Sequence, residues 1–316
     1  MHPEISIIVP TYNQVETISK CLDSILAQDF KLQYEVIIHD DCSTDGTTEI
    51  VKRYVSRYAD KLKLILPSRN QYSDYVSKPF FNCLMEAKGK YIAICEGDDY
   101  WVSRDKLSAQ YEIMEANASD LSFHPVYRVS NNTITKPSQK YETRIYTLKE
   151  TFAKGHHFVP TCSLMFKNQG HLEKYHDYYR RAPAGDVLHR IICGQGGLLC
   201  IPSLYGAYRV EHTGSWSDQM KVDEDARAKM WIQWVQLFDE LLEQCQFEKD
   251  SLRYYRARLI RDIIIDYKIF ENSSKWCTHF EAITGMTLSI HNIYAILPML
   301  RIMLKFKRKI NVICTS

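Results

Sequence analysis

The sequence predicts an α/β fold in which a mostly parallel sheet is covered by helices on both faces. Continuous apolar runs such as Ile5 to Val9 are typical of strands that are buried on both sides. Segments with helical spacing alternate with these runs over the first hundred residues. Acidic turns follow two of the runs, and ligands of open parallel sheets bind beyond the carboxyl ends of the strands. The sequence therefore predicts a ligand site at this edge of the sheet.

The first hundred residues contain four predicted strands and three predicted helices. The strands are Ile5 to Val9, Tyr34 to Ile38, Lys63 to Leu66 and Tyr91 to Cys95. The first helix is indicated by apolar residues spaced i, i+3, i+4, i+7, i+8, which are Ile18, Cys21, Leu22, Ile25 and Leu26. The second carries Ile50, Val51, Tyr54, Val55 and Tyr58, and its N-cap is expected at Ser43, Thr44 or Asp45. The third is expected from Phe80 to Ala87.

The second half of the chain has a mixed pattern. A strand is predicted from Leu121 to Ser130, an apolar segment from Phe158 to Phe166 and a helix from Ala184 to Cys193. From Asp223 onward the pattern is mainly helical. We therefore expect an α/β domain at 1–220, with a first half at 1–118 and a second at 119–220, followed by a mainly helical C-terminal region at 221–316.

The composition excludes few classes of protein, but it indicates the kind of partner, the state of the cysteines and the cellular location to expect. The net charge of +2 gives no reason to expect a nucleic-acid partner. The ten cysteines are scattered and form no Cys-x-x-Cys pair, so buried reduced thiols such as Cys21, Cys95 and Cys193 are expected in a reducing cytosol. The chain starts almost directly on a strand, without a leader pattern, and no run of about 18–20 apolar residues spans a bilayer. We expect a cytoplasmic protein, either free or peripheral on a membrane.

The turn Glu96-Gly97-Asp98-Asp99 is the first candidate for chemistry. Adjacent carboxylates repel each other, and a divalent cation that also binds a diphosphate offsets this repulsion. The alternative is that Asp98 caps the following helix while Asp99 is solvated. A second cluster, Asp40-Asp41 before 43–46, suits a nucleobase or ribose beside a helix N-terminus, or simply forms a turn and a helix cap.

Three ordered segments carry a resemblance to a known family. Residues 6–13, 40–47 and 89–101 read SIIVPTYN, DDCSTDGT and GKYIAICEGDDYW. Together they resemble a family-2 glycosyltransferase with the GT-A fold, of the inverting type that builds bacterial surface polysaccharides, and a weaker match continues to about Asp218. Two departures are Cys42, where the family usually has Gly, and Glu96, where Asp is common.

The resemblance implies specific roles for individual residues. Pro10, Thr11 and Tyr12 would line the base pocket, Asp41 would bond the base, and Arg69 would approach the base or a phosphate. Asp98 would lie near the ribose and the metal, and Asp99 would ligate Mn²⁺ or Mg²⁺ bridging the diphosphate.

The second half would supply the remaining groups. Asp186 matches the position where inverting members carry the base that deprotonates the acceptor hydroxyl, although a helix N-cap explains it as well. His212 is a candidate ligand for the metal or diphosphate, with a surface histidine as the alternative, and Arg209 a candidate partner of phosphate oxygens. Trp216 is expected to cover the donor or to stack on a sugar face, and Thr161 to lie near the acceptor.

The tail after residue 277 is basic and partly apolar. Its charged residues are Arg301, Lys305, Lys307, Arg308 and Lys309 against Glu281, next to the apolar segment Ile293 to Leu304. An amphipathic element on anionic lipid is one interpretation, and a helix packed on the core or on a partner subunit of a homo-oligomer is the other.

The predicted function is the inverting transfer of a sugar from a nucleoside-diphosphate sugar, UDP-linked in our expectation, to a lipid-linked or growing glycan in the synthesis of lipopolysaccharide, O-antigen or capsule. The alternatives are a nucleotide-sugar or carbohydrate-binding module with little turnover, and a sugar nucleotidyltransferase. The Gly-rich phosphate loop of nucleotidyltransferases is missing from the sequence. A Rossmann dehydrogenase is disfavoured because no Gly-x-Gly-x-x-Gly follows the first strand.

Overall fold

A sheet of eight strands forms the centre of the protein in the computed structural model, which describes residues 2–130, 133–155, 158–169, 175–182, 185–210, 224–244 and 249–256. The strands in chain order are β1 Ile5–Thr11, β2 Tyr34–Asp40, β3 Leu62–Ile65, β4 Tyr91–Ile94, β5 Tyr100–Trp101, β6 Leu121–Phe123, β7 Val126–Ser130, β8 Thr133–Thr135, β9 Arg144–Tyr146, β10 Met165–Lys167, β11 Leu198–Cys200 and β12 Gly206–Arg209. The spatial order of the large sheet is β3-β2-β1-β4-β10-β6-β11-β9. Its first four strands are parallel, as predicted.

Helices connect and cover these strands. They are α1 Ile18–Leu26, α2 Thr47–Arg57, α3 Lys78–Glu86, α4 Lys106–Asn117, α5 Leu148–Lys154, α6 His176–Arg181, α7 Gly185–Cys193 and α8 Glu224–Gln244, with a 3-10 helix at Thr161–Ser163. The predicted stripe of α1 is confirmed, because Ile18, Cys21, Leu22 and Ile25 are all fully buried. The described cysteines are free thiols, and Cys21, Cys95 and Cys193 are buried as expected.

The predicted strand from Leu121 to Ser130 is two strands in two sheets. β6 ends at Phe123 in the large sheet, and β7 begins at Val126 in a second sheet with the order β5-β12-β7-β8. Pro125 lies at the break, and proline has no N–H to continue a ladder of hydrogen bonds. A continuous apolar pattern therefore concealed a change of sheet.

The start of α2 also differs from the prediction. Its N-cap is Gly46, with φ of 103°, in place of Ser43, Thr44 or Asp45. Asp45 acts from one position earlier, since its Oδ1 accepts a hydrogen bond from the N–H of Thr47 at 3.0 Å. The left-handed backbone at Gly46 is accessible to glycine without strain.

The described C-terminal segments are helical, as predicted for this region. Contacts divide the chain into one unit at Met1–Arg256 and another at Ala257–Ser316. Within the first unit, Arg181 of α6 donates a hydrogen bond to Glu240 of α8, and Tyr255 stacks on Phe152 of α5 with ring centroids 3.9 Å apart. The proposed boundary at 220 stays a prediction. Within the described ranges, no helix is both long and apolar enough to cross a membrane.

Candidate functional site

The acidic turn lies directly against the end of β1. The N–H of Cys95 donates to the carbonyl of Ile8 at 3.1 Å, and the N–H of Gly97 donates to the carbonyl of Pro10 at 3.0 Å. These bonds continue the β1–β4 pairing beyond the last residue of β4. The structure therefore brings the Pro10-Thr11 segment and the acidic turn together, as the sequence predicts.

Gly97 makes this contact possible because it has no side chain. A Cβ atom at this position would lie 2.3 Å from the Oε1 atom of Gln14 and 2.6 Å from the Oγ1 atom of Thr11. These two polar atoms are hydrogen-bonded to each other at 2.6 Å. The carbonyl of Gly97 accepts a further bond from Thr17 at 3.0 Å. The turn is thus held against β1 and the start of α1 on both sides of its glycine.

Asp99 is buried beneath the turn, with 1% of its surface exposed. Its Oδ1 atom accepts a hydrogen bond from the backbone N–H of Arg209 at 2.8 Å, while its Oδ2 atom has no hydrogen-bond partner. Burial raises the pKa of this carboxyl well above its usual range, and the negative charges of Asp98 and Glu96 raise it further. The N–H of Arg209 and the nearby Cys162 thiol act in the opposite direction.

Asp98 does not cap a helix, so that alternative is wrong. The residues after the turn form β5, and the next helix, α4, begins at Lys106 with Asp105 as its N-cap. Asp98 and Glu96 are half-buried, which leaves them closer to solvent than Asp99. The turn therefore presents two carboxylates towards solvent above a third that is enclosed.

Two cationic side chains flank the aromatic ring that follows the turn. The Nζ atom of Lys20 lies 3.7 Å from the ring centroid of Tyr100, and the guanidinium carbon of Arg209 lies 5.2 Å from it. Arg209 is half-buried, and its Nε atom has no hydrogen-bond partner. Sequence analysis identified Arg209 but missed Lys20, which is a polar residue on the exposed face of α1 and carries no motif.

Tyr208 is a second residue that sequence analysis left without a role. The carboxylates of Glu96, Asp99 and Asp98 raise the pKa of its phenol, in addition to the larger effect of burial. The hydroxyl group therefore lies in the field of all three acidic groups. Its position directly before Arg209 was the available signal.

Asp40 and Asp41 have different roles at the end of β2. Asp40 is fully buried, and its carboxylate accepts hydrogen bonds from Ser43 and Thr48, which shapes the turn into α2. Asp41, with 1% of its surface exposed, accepts the N–H of Gln71 at 2.7 Å and the N–H of Tyr72 at 2.8 Å. The alternative in which the Asp40-Asp41 cluster simply forms a turn therefore applies to Asp40.

Tyr12 is presented on a turn that the loop after β2 holds in place. Asn13, with φ of 50°, accepts the N–H of Thr44 at 2.8 Å, and its own N–H donates to Ser43 at 2.9 Å. The preceding Thr11 is aligned with Asp40 in the β1–β2 register. Tyr12 itself is 47% exposed, so its ring is accessible at the carboxyl edge of the sheet.

Arg69 lies on the surface of the loop after β3. It makes a bidentate ion pair with Asp74, with N–O distances of 2.7 and 3.0 Å. Asp74 also pairs with Lys78 at 2.6 Å. The structure therefore gives Arg69 a partner within its own loop.

Asp186 lies in the first turn of α7, and its side chain falls outside the described part of the structure. The helix itself is firmly placed. His189 is fully buried, its Nδ1 atom lies 2.6 Å from the hydroxyl of Tyr179, and its ring packs against Phe80 and Phe166. Ala182, three residues before α7, accepts a hydrogen bond from Ser77 at the start of α3.

Of the three remaining predicted residues, the described part of the structure contains Thr161 but not His212 or Trp216. Thr161 begins the 3-10 helix, next to the Cys162 thiol that faces Asp99. His212 and Trp216 lie outside the described residues, as does the basic tail. Their predicted roles remain predictions.

A buried lysine lies behind the acidic turn. Lys106 is fully enclosed, its Nζ atom has no hydrogen-bond partner, and it lies 3.9 Å from the ring centroid of Trp101. Burial lowers its pKa to about 7, although the neighbouring Cys95 and Cys162 thiols oppose this. Trp101 is fixed further by a bond from its indole N–H to the Cys162 carbonyl at 3.1 Å.

The acidic turn has the donor chemistry for a hard divalent cation. Its carboxylate oxygens are the ligands that Mn²⁺ and Mg²⁺ accept, and the buried Oδ2 atom of Asp99 lacks a partner. Among the described residues, however, no three His, Cys, Asp or Glu side chains are grouped so as to enclose an ion. An ion here would depend on additional oxygens, such as those of a diphosphate.

Comparison with known proteins gives a family match and distant relatives. The sequence pattern described as Glycosyl transferase family 2 matches residues 6–169, about half of the chain. An uncharacterized protein of Mycobacterium tuberculosis is 33% identical over 216 residues, 67% of this chain and 60% of that protein. The poly(ribitol-phosphate) beta-N-acetylglucosaminyltransferase TarS of Staphylococcus aureus is 35% identical over 117 residues, 37% of this chain and 20% of that protein. The chain thus spans at most about 60% of these relatives.

Solved structures share the fold. The S. aureus TarS fragment 1–349 in complex with UDP-GlcNAc aligns with a TM-score of 0.67 at 20% identity, over 89% of this chain and 81% of that chain. Mannosyltransferase PcManGT from Pyrobaculum calidifontis, in complex with GDP-Man and Mn²⁺, aligns with a TM-score of 0.54 at 18% identity, over 96% of this chain and 81% of that chain. The predicted GT-A fold is confirmed.

Proposed function

The chain belongs to glycosyl transferase family 2, and we propose on that premise that it moves a sugar from a nucleoside-diphosphate sugar to a growing or lipid-linked glycan of the cell surface. The observation that carries the proposal is the contact between the acidic turn and the end of β1. This contact brings the edge that we propose for the nucleoside next to a carboxylate cluster, as a nucleoside-diphosphate sugar would require.

We propose uracil as the base of the donor. TarS, which shares both sequence and fold with this chain, is solved with UDP-GlcNAc. Pro10, Thr11 and the exposed ring of Tyr12 offer a surface on which a base stacks. Arg69 would reach a phosphate or the base only after its ion pair with Asp74 opens.

The diphosphate is proposed to lie over the acidic turn, between its carboxylates and the two cations beside Tyr100. Asp98 and Asp99 would hold Mn²⁺ or Mg²⁺ there, and the bound ion would supply neutralising charge to the leaving diphosphate. His212 is proposed as a further ligand of this site. Arg209 and Lys20 carry fixed positive charge that favours the same anion. Tyr208 offers a hydroxyl that stays protonated, because burial and the three carboxylates raise its pKa.

Acceptor activation is proposed for Asp186 at the start of α7. An acceptor hydroxyl loses its proton as it attacks the anomeric carbon from the face opposite the diphosphate, which inverts the configuration at that carbon. The buried His189–Tyr179 pair fixes α7, and so places the first turn of the helix. Thr161 and Trp216 are proposed to border the acceptor and the donor. Relatives such as TarS, whose name refers to poly(ribitol-phosphate), support a polymer as the acceptor.

The decisive experiment is release of UDP from a panel of UDP-sugars, with and without Mn²⁺. The wild-type protein should release UDP only with a divalent cation, and Asp98→Asn should reduce release by at least about tenfold. Asp60→Asn is the matched control, since Asp60 is an exposed acidic residue just before β3, at the opposite edge of the sheet.

Two outcomes would overturn the proposal. One is a wild-type protein that binds no nucleoside diphosphate under any metal condition. The other is binding without turnover for every donor and glycan acceptor tested, which would favour the binding module. For an active protein, the anomeric configuration of the product, read by nuclear magnetic resonance, tests the inverting assignment.

A further inference from the structure

We propose that Cys21 and Cys95 form a redox modification site, at which a peroxide joins the two thiols in a disulfide and thereby slows turnover at the acidic turn. The modification itself is independent of the proposed function, whereas its effect on turnover rests on that function. Neither cysteine takes part in the binding of donor, acceptor or metal proposed above.

The two thiols are in contact inside the core. Both residues are fully buried, and their Sγ atoms lie 3.7 Å apart. A disulfide bond measures about 2.05 Å, so each sulfur has to move by about 0.8 Å to reach bonding distance. Among the other described cysteines, Cys42 and Cys83 bond carbonyl oxygens instead.

Two elements of the core hold the sulfurs together. Cys21 lies on the buried side of α1, beside Ile18 and Leu22. Cys95 directly follows β4, and its N–H donates to the carbonyl of Ile8 at 3.1 Å. Two groups held in contact react at an effective concentration far above that of a dissolved reagent. Oxidation of either thiol should therefore end as a disulfide with the other.

The reaction balances with hydrogen peroxide as the oxidant. One sulfur attacks a peroxide oxygen, the O–O bond breaks, and a sulfenic acid and one water form. The second sulfur attacks the sulfenic sulfur, the S–O bond breaks, and a second water leaves. The two thiols together lose two electrons, which reduce the peroxide, and the protons of both S–H groups end in water.

Lys106 provides a base beside this pair. A thiolate is the nucleophile, and burial raises the pKa of Cys95 well above its usual range. The Nζ atom of Lys106 has no hydrogen-bond partner and lies close enough to Cys95 for their charges to interact. Burial lowers the pKa of Lys106 to about 7, so a large fraction of this side chain is an uncharged amine near neutral pH. The buried thiol therefore has an acceptor for its proton.

The pair also contacts the acidic turn. The Sγ atom of Cys21 lies 3.5 Å from the carbonyl oxygen of Glu96, the first residue of the turn, which is half-buried. Solvent is therefore one residue away from Cys95 along the chain. Closure of the disulfide draws α1 and the start of the turn together, and the same turn carries Asp98 and Asp99. A displacement of about 1 Å in an active site lowers rates by up to about one-hundredfold.

The first experiment identifies the cross-link by mass. The full chain is treated with hydrogen peroxide, its free thiols are blocked with N-ethylmaleimide, and it is digested with trypsin. Cys21 and Cys95 lie in different tryptic peptides, 21–31 and 91–104, and each peptide contains one cysteine. We expect these two peptides joined and two hydrogens lighter than their sum, and separate after reduction with dithiothreitol. This measurement needs no variant.

The second experiment measures turnover before and after peroxide. UDP release by the cross-linked wild type should fall by about ten- to one-hundredfold and return after reduction. Cys21→Ala should keep its own starting rate under the same treatment, because its Cys95 has no partner thiol in contact. Cys83→Ala is the matched control, since it removes a buried thiol of α3, and it should respond like the wild type.

The two measurements fail separately. Cys21 and Cys95 that stay free at a peroxide concentration that oxidises the half-buried Cys42 would overturn the site, and so would a disulfide between Cys95 and Cys162. A cross-linked wild type that releases UDP at an unchanged rate would overturn the effect on turnover. A protein that releases no UDP before treatment would contradict the proposed function, and the joined peptides would still decide the modification site.

Discussion

The Oδ1 atom of Asp99 accepts a hydrogen bond from the backbone N–H of Arg209 across 110 positions of sequence, at 2.8 Å. Asp99 lies between β4 and β5 in the first half, and Arg209 ends β12 in the second half. Pairing of β12 with β5 aligns Ala207 with Tyr100 and brings the two residues together. The acidic turn is therefore shaped by both halves of the domain.

Asp99→Asn and Asp99→Ala should separate the structural from the chemical role of this residue. The asparagine oxygen still accepts the N–H of Arg209. The substitution also removes a buried acidic group beside Asp98 and Glu96, so the free energy of unfolding of Asp99→Asn should equal or exceed that of the wild type. Asp99→Ala leaves the Arg209 N–H unpaired and should lower the free energy of unfolding by about 1–3 kcal/mol. Both should lose metal-dependent UDP release. Urea unfolding and a UDP assay test this, and an active asparagine variant would contradict it.

Asp186→Asn should keep donor binding and lose transfer. General base catalysis contributes about 10²–10⁴-fold, so the rate of transfer should fall by that factor while the Kd for UDP stays within about twofold. Side-by-side calorimetry and product analysis provide the measurement. Asp177→Asn is a suitable control, as Asp177 lies in the first turn of α6. Normal transfer by Asp186→Asn would place the base elsewhere.

Lys106→Met should stabilise the protein at neutral pH. The ammonium is fully buried without a hydrogen-bond partner, and methionine fills a similar volume without charge. We expect the free energy of unfolding to rise by about 1–3 kcal/mol, less the lost cation–π contact with Trp101. A fall in stability, measured by urea unfolding at pH 7, would contradict this.

The advantage of Lys106→Met should depend on pH. The folded pKa is lowered to about 7 from the ordinary 10.5, so between these values the unfolded chain binds more protons than the folded one. Wild-type stability then gains up to about 1.4 kcal/mol per pH unit from this group as pH rises above 7. The difference between the variant and the wild type should therefore shrink from pH 7 to pH 9 and stay constant below pH 7.

Cys42→Gly should be more stable than Cys42→Ala. Cys42 has φ of 64°, in the left-handed region, which glycine adopts without strain. Both variants lose the 2.9 Å contact from Sγ to the Pro67 carbonyl, so their difference isolates the backbone. We expect the free energy of unfolding of Cys42→Gly to exceed that of Cys42→Ala by about 1 kcal/mol. Equal urea midpoints would show that the turn is not strained.

The alternation of strands and helices in the first hundred residues was predictable because each element carries its own apolar periodicity. The bounds of β1 to β4 agree with the prediction within about two residues, and α1 buries the predicted side of the helix. The points at which one strand ends and the next begins in another sheet were harder to predict. A strand pattern that continues from Leu121 to Ser130 does not reveal that its two ends join different sheets.

The site was predictable in its motifs and unpredictable in its contacts. Asp98 and Asp99 are neighbours in sequence, yet one is half-buried, whereas the other is enclosed and bonded to the backbone of β12. Lys20 lies in a segment without a motif and comes to lie beside Tyr100 only through tertiary packing. Periodicity encodes which face of an element is buried, but it does not encode which distant strand completes a pocket.

Because Gly97 has no side chain, the acidic turn lies at a fixed short distance from the end of β1. The acidic turn touches β1 through main-chain atoms, so no side-chain rotamer can alter the interval between the backbones of Tyr12 and Asp98. A ligand that contacts both must match this interval. On the proposed function, selection of donors by the number of phosphates between nucleoside and sugar would be a property of the backbone, and it should persist in variants whose base preference has been changed.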